Sequence, residues 1–280
     1  MASHTHNHDH PHKSACHHPH TVPRPSLQDR PAREKALLQR LLDNMSQADT
    51  EIGQAAAGGR FAAISAGGRV GLASILGAKP GPEEKQVLAG LKGTSLARAA
   101  VLIMDDSPYK ASLGLAALNA GFAPPPETAA LSAGDLLQEL SKGKRVVVAG
   151  DFPFAQDLRS IASSLTIMGL RPGHGIDPGP ESQAALAECQ VAAISSTALL
   201  TRSLAELMQA AKQALIMLVG PSTPWAPVLF DMGADVLAGS VVTDPEAVLE
   251  AVAQDLPFYE VKRRGVRLAV WIKPGLDLGL

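Results

Sequence analysis

The residues best suited to chemistry stand at the start of the chain, where eight of its nine histidines fall within the first twenty positions. His4, His6, His8, His10 and His12 alternate, so an extended backbone would set their imidazoles on one side. Cys16, His17, His18 and His20 add a softer cluster. Neutral imidazole and thiolate suit borderline transition ions, and the expected chemistry is weak, exchangeable binding of nickel, zinc, copper or cobalt. Prolines at 11, 19, 23 and 25 and the near absence of apolar residues predict a disordered tail over residues 1–28. With no surrounding groups to hold the ligands, a closed metal site is not expected there. An inert leader is the competing reading.

A second group of candidates lies where apolar runs stop. Gly220–Pro221–Ser222–Thr223–Pro224 follows one such run. Its glycine permits close backbone approach, and its hydroxyls, with free amides of the next helix, would hold an anion or a carboxylate ligand. Ser222 or Thr223 fits equally well as a simple helix cap. Gly150 and Asp151 end another run, Ser195, Ser196 and Thr197 a third, and Asp231 and Asp244 stand near further strand or helix ends. Each of these alone is explained by capping or surface charge. Together, Gly150, Asp151, Ser195, Thr197, Gly220, Ser222, Thr223, Asp231 and Asp244 form the candidate ligand-binding set. In an enzyme acting on a small anionic or metal-chelating substrate, Asp151, Asp231 or Asp244 would be the acid/base group.

Other chemistries find little support. His174 is the one histidine beyond the tail, on a glycine-rich loop, and no glycine-framed serine elbow occurs. Cys189 adjoins an apolar run and is expected to be buried and inert. Gly150–Asp151–Phe152–Pro153 replaces the three-glycine dinucleotide fingerprint, and no Gly-Lys-Ser/Thr phosphate loop is present, so neither NAD nor FAD is expected.

These residues need a scaffold. Short apolar runs at 145–149, 164–168, 191–194, 216–219 and 236–238 alternate with helical patterns, which predicts an α/β fold with a mostly parallel sheet and helices on both faces. The run at 236–238 is expected to break at Gly239–Ser240, and Val266–Ile272 to form an antiparallel edge. Before them come a helix over Ala32–Ser46, a hairpin from Arg60–Ser65 and Val70–Ile75, and helices at 83–91, 95–103 and 107–119, which predicts a small α+β domain. The stiff run Pro124–Pro126 divides the two. The expected domains are thus 1–28, 29–121 and 122–280.

Composition limits the partners. Lysine and arginine number 25 against 27 acids, a formal charge of −2, which gives no basic field for nucleic acid. Two cysteines make no disulfide framework. No signal peptide and no apolar run of about 18–20 residues are found, so no membrane insertion is expected and the expected location is cytoplasmic.

Gly220–Pro224, followed by Pro227–Asp231 and Asp235–Gly239, resembles the uncharacterised family named for putative heavy-metal chelation. Gly150–Phe154, Arg69–Ala73 and Gly114–Ala120 resemble further segments of that family, in the same order, over roughly residues 35 to 272. The resemblance implies a Rossmann-like C-terminal domain preceded by one similar to the enolase N-terminal domain, and it implies metal handling. Met168 and Thr201 depart from the family pattern, which commonly has an acidic residue and an asparagine there. The leading expectation is a heavy-metal binding or chelation protein, with a histidine-rich tail and an inter-domain crevice for a metal complex or small anionic ligand. Besides the enzyme, a dimeric scaffold (a homodimer) with an incidental tail is the remaining alternative.

Overall fold

The computed structural model describes residues 32–77, 80–169 and 180–279. The tail ligands His4, His6, His8, His10, His12, Cys16, His17, His18 and His20 lie outside the described residues, as does His174.

The chain begins with α1 (Ala32–Asp43), whose Leu37, Leu38 and Leu41 are buried at helical spacing. Three antiparallel strands follow, β1 (Ile52–Ala57), β2 (Phe61–Ala66) and β3 (Arg69–Ser74), paired in sequence order. The glycine-linked hairpin is β2–β3, while β1 is an extra edge strand. Next come α2 (Pro82–Ala89), α3 (Leu96–Ala100) continued by a 3-10 turn over Val101–Met104, and α4 (Pro108–Gly121). Small residues let α4 approach the sheet closely. A Cβ on Gly71 of β3 would lie 2.1 Å from the Ala116 carbonyl oxygen and 2.2 Å from the Ala120 nitrogen of α4.

After the prolines, α5 (Ala133–Ser141) leads into β4 (Arg145–Ala149), and a 3-10 helix over Pro153–Ser160 leads into β5 (Ser164–Met168). Then follow α6 (Pro180–Glu188), β6 (Val191–Ser195), a 3-10 turn over Ser196–Leu199, α7 (Leu204–Ala210) and β7 (Leu215–Val219). The chain closes with α8 (Val228–Asp231), β8 (Val236–Val242), α9 (Pro245–Ala253), α10 (Phe258–Gly265) and β9 (Val266–Ile272). The six strands lie in the order β5-β4-β6-β7-β8-β9, with β9 alone antiparallel. The fold is therefore mixed α/β, a mostly parallel six-stranded sheet with helices joined to a small antiparallel sheet. Burial favours this arrangement: β6 is buried along its whole length and β7 along all but its first residue, as strands covered on both faces must be.

β8 also differs from the sequence expectation. β8 does not break at Gly239–Ser240 but runs on to Val242, because β9 pairs with it through that point (Gly239 with Ala269, Ser240 with Leu268). Arg202 takes a positive φ of 54° between the 3-10 turn over Ser196–Leu199 and α7. Lys262, Arg263 and Arg264 lie in the last turn of α10, where their positive charges suit the helix dipole.

The apolar clusters run across the proline linker. Phe61, Ala63 and Leu72 of the small sheet pack with Val248, Val252 and Val261 of α9 and α10.

Candidate functional site

In the strand order, β4 has β5 on one side and β6 on the other, so the chain direction of the crossovers reverses between β4 and β6. In open α/β sheets that switch point is where a crevice opens beyond the carboxyl ends. Gly150 and Asp151 leave β4 there, and Ser195–Thr197 leave β6. Gly150 has φ +143° and Gly220 has φ +132°, values an L side chain rarely adopts, so only glycine fits these two strand exits without strain. A Cβ at Gly150 would meet Ser195 Cβ at 2.6 Å, and one at Gly220 would stand 3.0 Å from Ser196 Oγ. The three strand ends are thus in contact. Ser195 Oγ bonds Thr197 Oγ1 at 2.8 Å, and both residues are buried. Ser196 Oγ is buried and has no partner among the described residues. Asp151 is exposed and faces Gly169 at the end of β5.

The other sequence candidates stand elsewhere. Ser222 is fully buried and joins the two sheets: its Oγ accepts from the Ser74 amide at 2.8 Å and lies 3.2 Å from Ser74 Oγ. Thr223 Oγ1 donates to the Ala238 carbonyl at 3.0 Å. Asp244 caps α9, accepting from the Ala247 amide at 3.1 Å. Asp231 ends α8 in an exposed position. Asp151 and Asp244 leave strands three places apart, about 14 Å at the usual strand spacing. Cys189 is 4% exposed, and burial pushes its thiol up to about 11, so it is no nucleophile at neutral pH.

A cavity lies between the small sheet and the large one. It measures about 180 Å³ and is walled by β3, the end of α4, Phe122 and Pro124, the Pro221–Trp225 loop and the distal half of β8. Five buried side-chain nitrogen or oxygen atoms lack a partner among the described residues, and three belong to residues lining this cavity: Arg69 Nη2, Asn119 Oδ1 and Ser240 Oγ. Each such atom costs about 1–3 kcal/mol if left unmet. Their neighbours hold them in place. Arg69 Nε donates to the Ala120 carbonyl at 3.2 Å, and Asn119 Nδ2 donates to the carbonyls of Leu72 at 2.8 Å and Ser222 at 3.1 Å. Trp225 Nε1 donates to the Ser240 carbonyl at 3.1 Å, its indole lying over Gly239, where a Cβ would come within 3.1 Å of the ring. Among the described residues, Arg69 is the one charged residue in the lining, which contains no carboxylate, imidazole or thiol. The sequence does not single these residues out as ligand contacts, although Arg69 and Asn119 sit inside the segments Arg69–Ala73 and Gly114–Ala120 that carry the family resemblance.

No group of three or more histidine, cysteine, aspartate or glutamate side chains that could hold a metal ion occurs among the described residues. Nor is any helix among them long and apolar enough to cross a membrane.

Two family patterns, each described as "Putative heavy-metal chelation", match residues 38–122 and 132–270. Together they span about four fifths of the chain. The chain belongs to the family so described. Two solved members of the DUF364 family, both of unknown function, share its fold. The protein from Desulfitobacterium hafniense DCB-2 is 26% identical with a TM-score of 0.71, covering 86% of this chain and 99% of its own. The protein from Pyrococcus horikoshii is 20% identical with a TM-score of 0.69, covering 84% of this chain and 99% of its own. No curated protein matches the chain. Within the family's span, the inter-sheet cavity is built from both matched segments, Arg69 and Asn119 from the first and Trp225 and Ser240 from the second.

Proposed function

We propose that this member of the heavy-metal chelation family handles a transition metal by a division of labour. The histidine-rich tail, residues 1–28, gathers the ion through His4, His6, His8, His10, His12, Cys16, His17, His18 and His20. The folded part takes the metal complex or a small anionic ligand in a crevice between the two sheets. One observation carries the second half of this reading: the 180 Å³ cavity whose lining includes a guanidinium but, among the described residues, no carboxylate, imidazole or thiol. A cationic aqua ion beside Arg69 would be repelled, whereas an anion gains a charge-assisted bond. Of the strand-end residues, Thr223 lines this cavity and Ser222 anchors its loop. Gly150, Asp151, Ser195, Thr197 and Gly220 stand at the carboxyl ends of β4, β6 and β7, at and beside the switch point. Asp231, at the end of α8, and Asp244, the cap of α9, lie outside the lining of the cavity.

The alternative enzyme reading rests on Asp151, the acid at the switch point, and needs a substrate bridging that point and the cavity. Equilibrium dialysis of the full chain against micromolar nickel, zinc, copper or cobalt tests the metal reading. At least one ion retained per chain is expected; a chain that retains none of the four removes it.

A further inference from the structure

We propose that residues 4–10 of the histidine-rich tail dock along β1 as a fourth strand of the small sheet, with their histidines facing Glu246 and Glu250. The docking goes beyond metal capture and belongs to the metal-free chain.

Part of the outer edge of β1 is open. The Gly58 amide donates to the Phe61 carbonyl at 3.0 Å, so Ala56 and Gln54, in step with Gly58, bond to β2 opposite Ala63 and Ser65. Ala55 and Ala57, opposite Ile64 and Ala62, therefore turn their amides and carbonyls away from β2. Nearer the start of β1 the same edge is already taken. There the Ile52 amide donates to the Thr94 carbonyl at 2.8 Å, and the Ile52 carbonyl accepts from Gly93 at 2.9 Å.

A groove of about 700 Å³ lies beside the open part, well inside the roughly 300–1,000 Å³ that ligand pockets span. Its two walls carry opposite charge. One is α2 with Lys85, Leu88 and Lys92, and the other is α9 with Glu246, Leu249 and Glu250. Among the described residues no ion pair joins the walls. Ala55 and Ala57 pack on the same side as Leu88, and Ala56 on the same side as Leu249. A strand added to β1 would thus point alternate side chains at the lysines and at the carboxylates.

Residues 4–10 carry that alternation. His4, His6, His8 and His10 present imidazole N–H donors to the α9 wall, while Thr5, Asn7 and Asp9 turn to the lysines. No proline interrupts residues 1–10, whereas prolines at 11, 19, 23, 25 and 31 divide the rest of the tail. Residues 11–31, at about 3.3 Å each, reach up to about 70 Å, against a radius of gyration of roughly 19 Å for a folded chain of this length. Tethering makes the docking intramolecular, so a weak contact suffices. The β1 strand of a second copy suits the edge less well. It would bring its own α2 and α9 to the place where these helices already stand.

The test is amide hydrogen exchange in the metal-free full chain, followed residue by residue by NMR. The Ala55 and Ala57 amides should exchange roughly tenfold or more slowly than in the full chain carrying Asn7→Pro, which removes an inward amide from the docked segment. The Ala56 amide, bonded to β2, should exchange alike in both and so vouches for the fold. Glu246→Gln combined with Glu250→Gln should lose most of the protection. Equal Ala55 and Ala57 rates in the unaltered chain and in Asn7→Pro would overturn the proposal. So would protection retained in the double glutamine variant, or protection that fades on tenfold dilution, as docking between copies would. No metal enters these measurements, so failure of the docking and failure of the metal reading are told apart.

Discussion

Ser222 shows how a residue suited to ligand binding is taken up by structure. Its buried hydroxyl satisfies the Ser74 amide across the two sheets, so Ser222→Ala leaves that amide unmet. The expected loss is about 1–3 kcal/mol of unfolding free energy, read as a lower urea midpoint; an unchanged midpoint would mean that solvent replaces the bond. Cys189 gives a pH prediction. Its thiol ionises at about 11 in the folded chain and near 8.5 when unfolded. Between those values the unfolded chain releases a proton that the folded chain keeps, so stability falls as pH rises through that window. Melting temperatures should drop more steeply from pH 8 to pH 10.5 for the natural protein than for Cys189→Ala; parallel drops would contradict the assignment. At this scale the sequence was only partly legible. Strand-exit glycines and hydroxyls could be found from where apolar runs stop. Arg69, Asn119 and Ser240 could not, because what marks them is an unmet atom, which exists only once α4, β3 and β8 have met.

At the scale of elements, periodicity located β5 and β9 to the residue, since each is a continuous run with clear stops. It missed β1, whose Ile52-Gly-Gln-Ala-Ala-Ala is poor in the branched residues that favour strands and owes its place to pairing with β2. It stopped β8 too early because Gly239 reads as a breaker; in the fold that glycine gives room for the Trp225 indole and the Thr223 backbone. Close approach also sets the next prediction. Gly71→Ala places a methyl against the backbone of α4, whereas Gly143→Ala meets nothing within 4 Å and bears only its positive φ of 67°. Gly143→Ala should cost about 1–2 kcal/mol, and Gly71→Ala more, because the helix and strand must separate to admit it. Urea denaturation of the two variants side by side checks the order; equal costs would mean that α4 moves away easily.

The whole molecule is held together more tightly than its proline linker suggests. Besides the shared apolar cluster, Arg202 donates to the carbonyls of Met104 at 2.6 Å and Asp105 at 2.7 Å. Arg60 pairs with Asp255 at 3.0 Å, and Asp255 also accepts from the Gly59 and Arg60 amides. We therefore propose that 29–121 and 122–280 are domains by descent that fold as one cooperative unit. A 29–121 fragment, stripped of α9 and α10, should lack a cooperative thermal transition; a sharp transition in that fragment would contradict this.

The central claim is the division of labour between tail and crevice, and calorimetric titration of a chain lacking residues 1–28 with nickel, zinc, copper and cobalt salts tests it most directly. No tight stoichiometric binding of any of the four bare ions is expected, because the cavity between the sheets offers a guanidinium and, among the described residues, no carboxylate, imidazole or thiol. Tight one-to-one binding that survives removal of the tail would contradict it and place a true metal centre in the folded part.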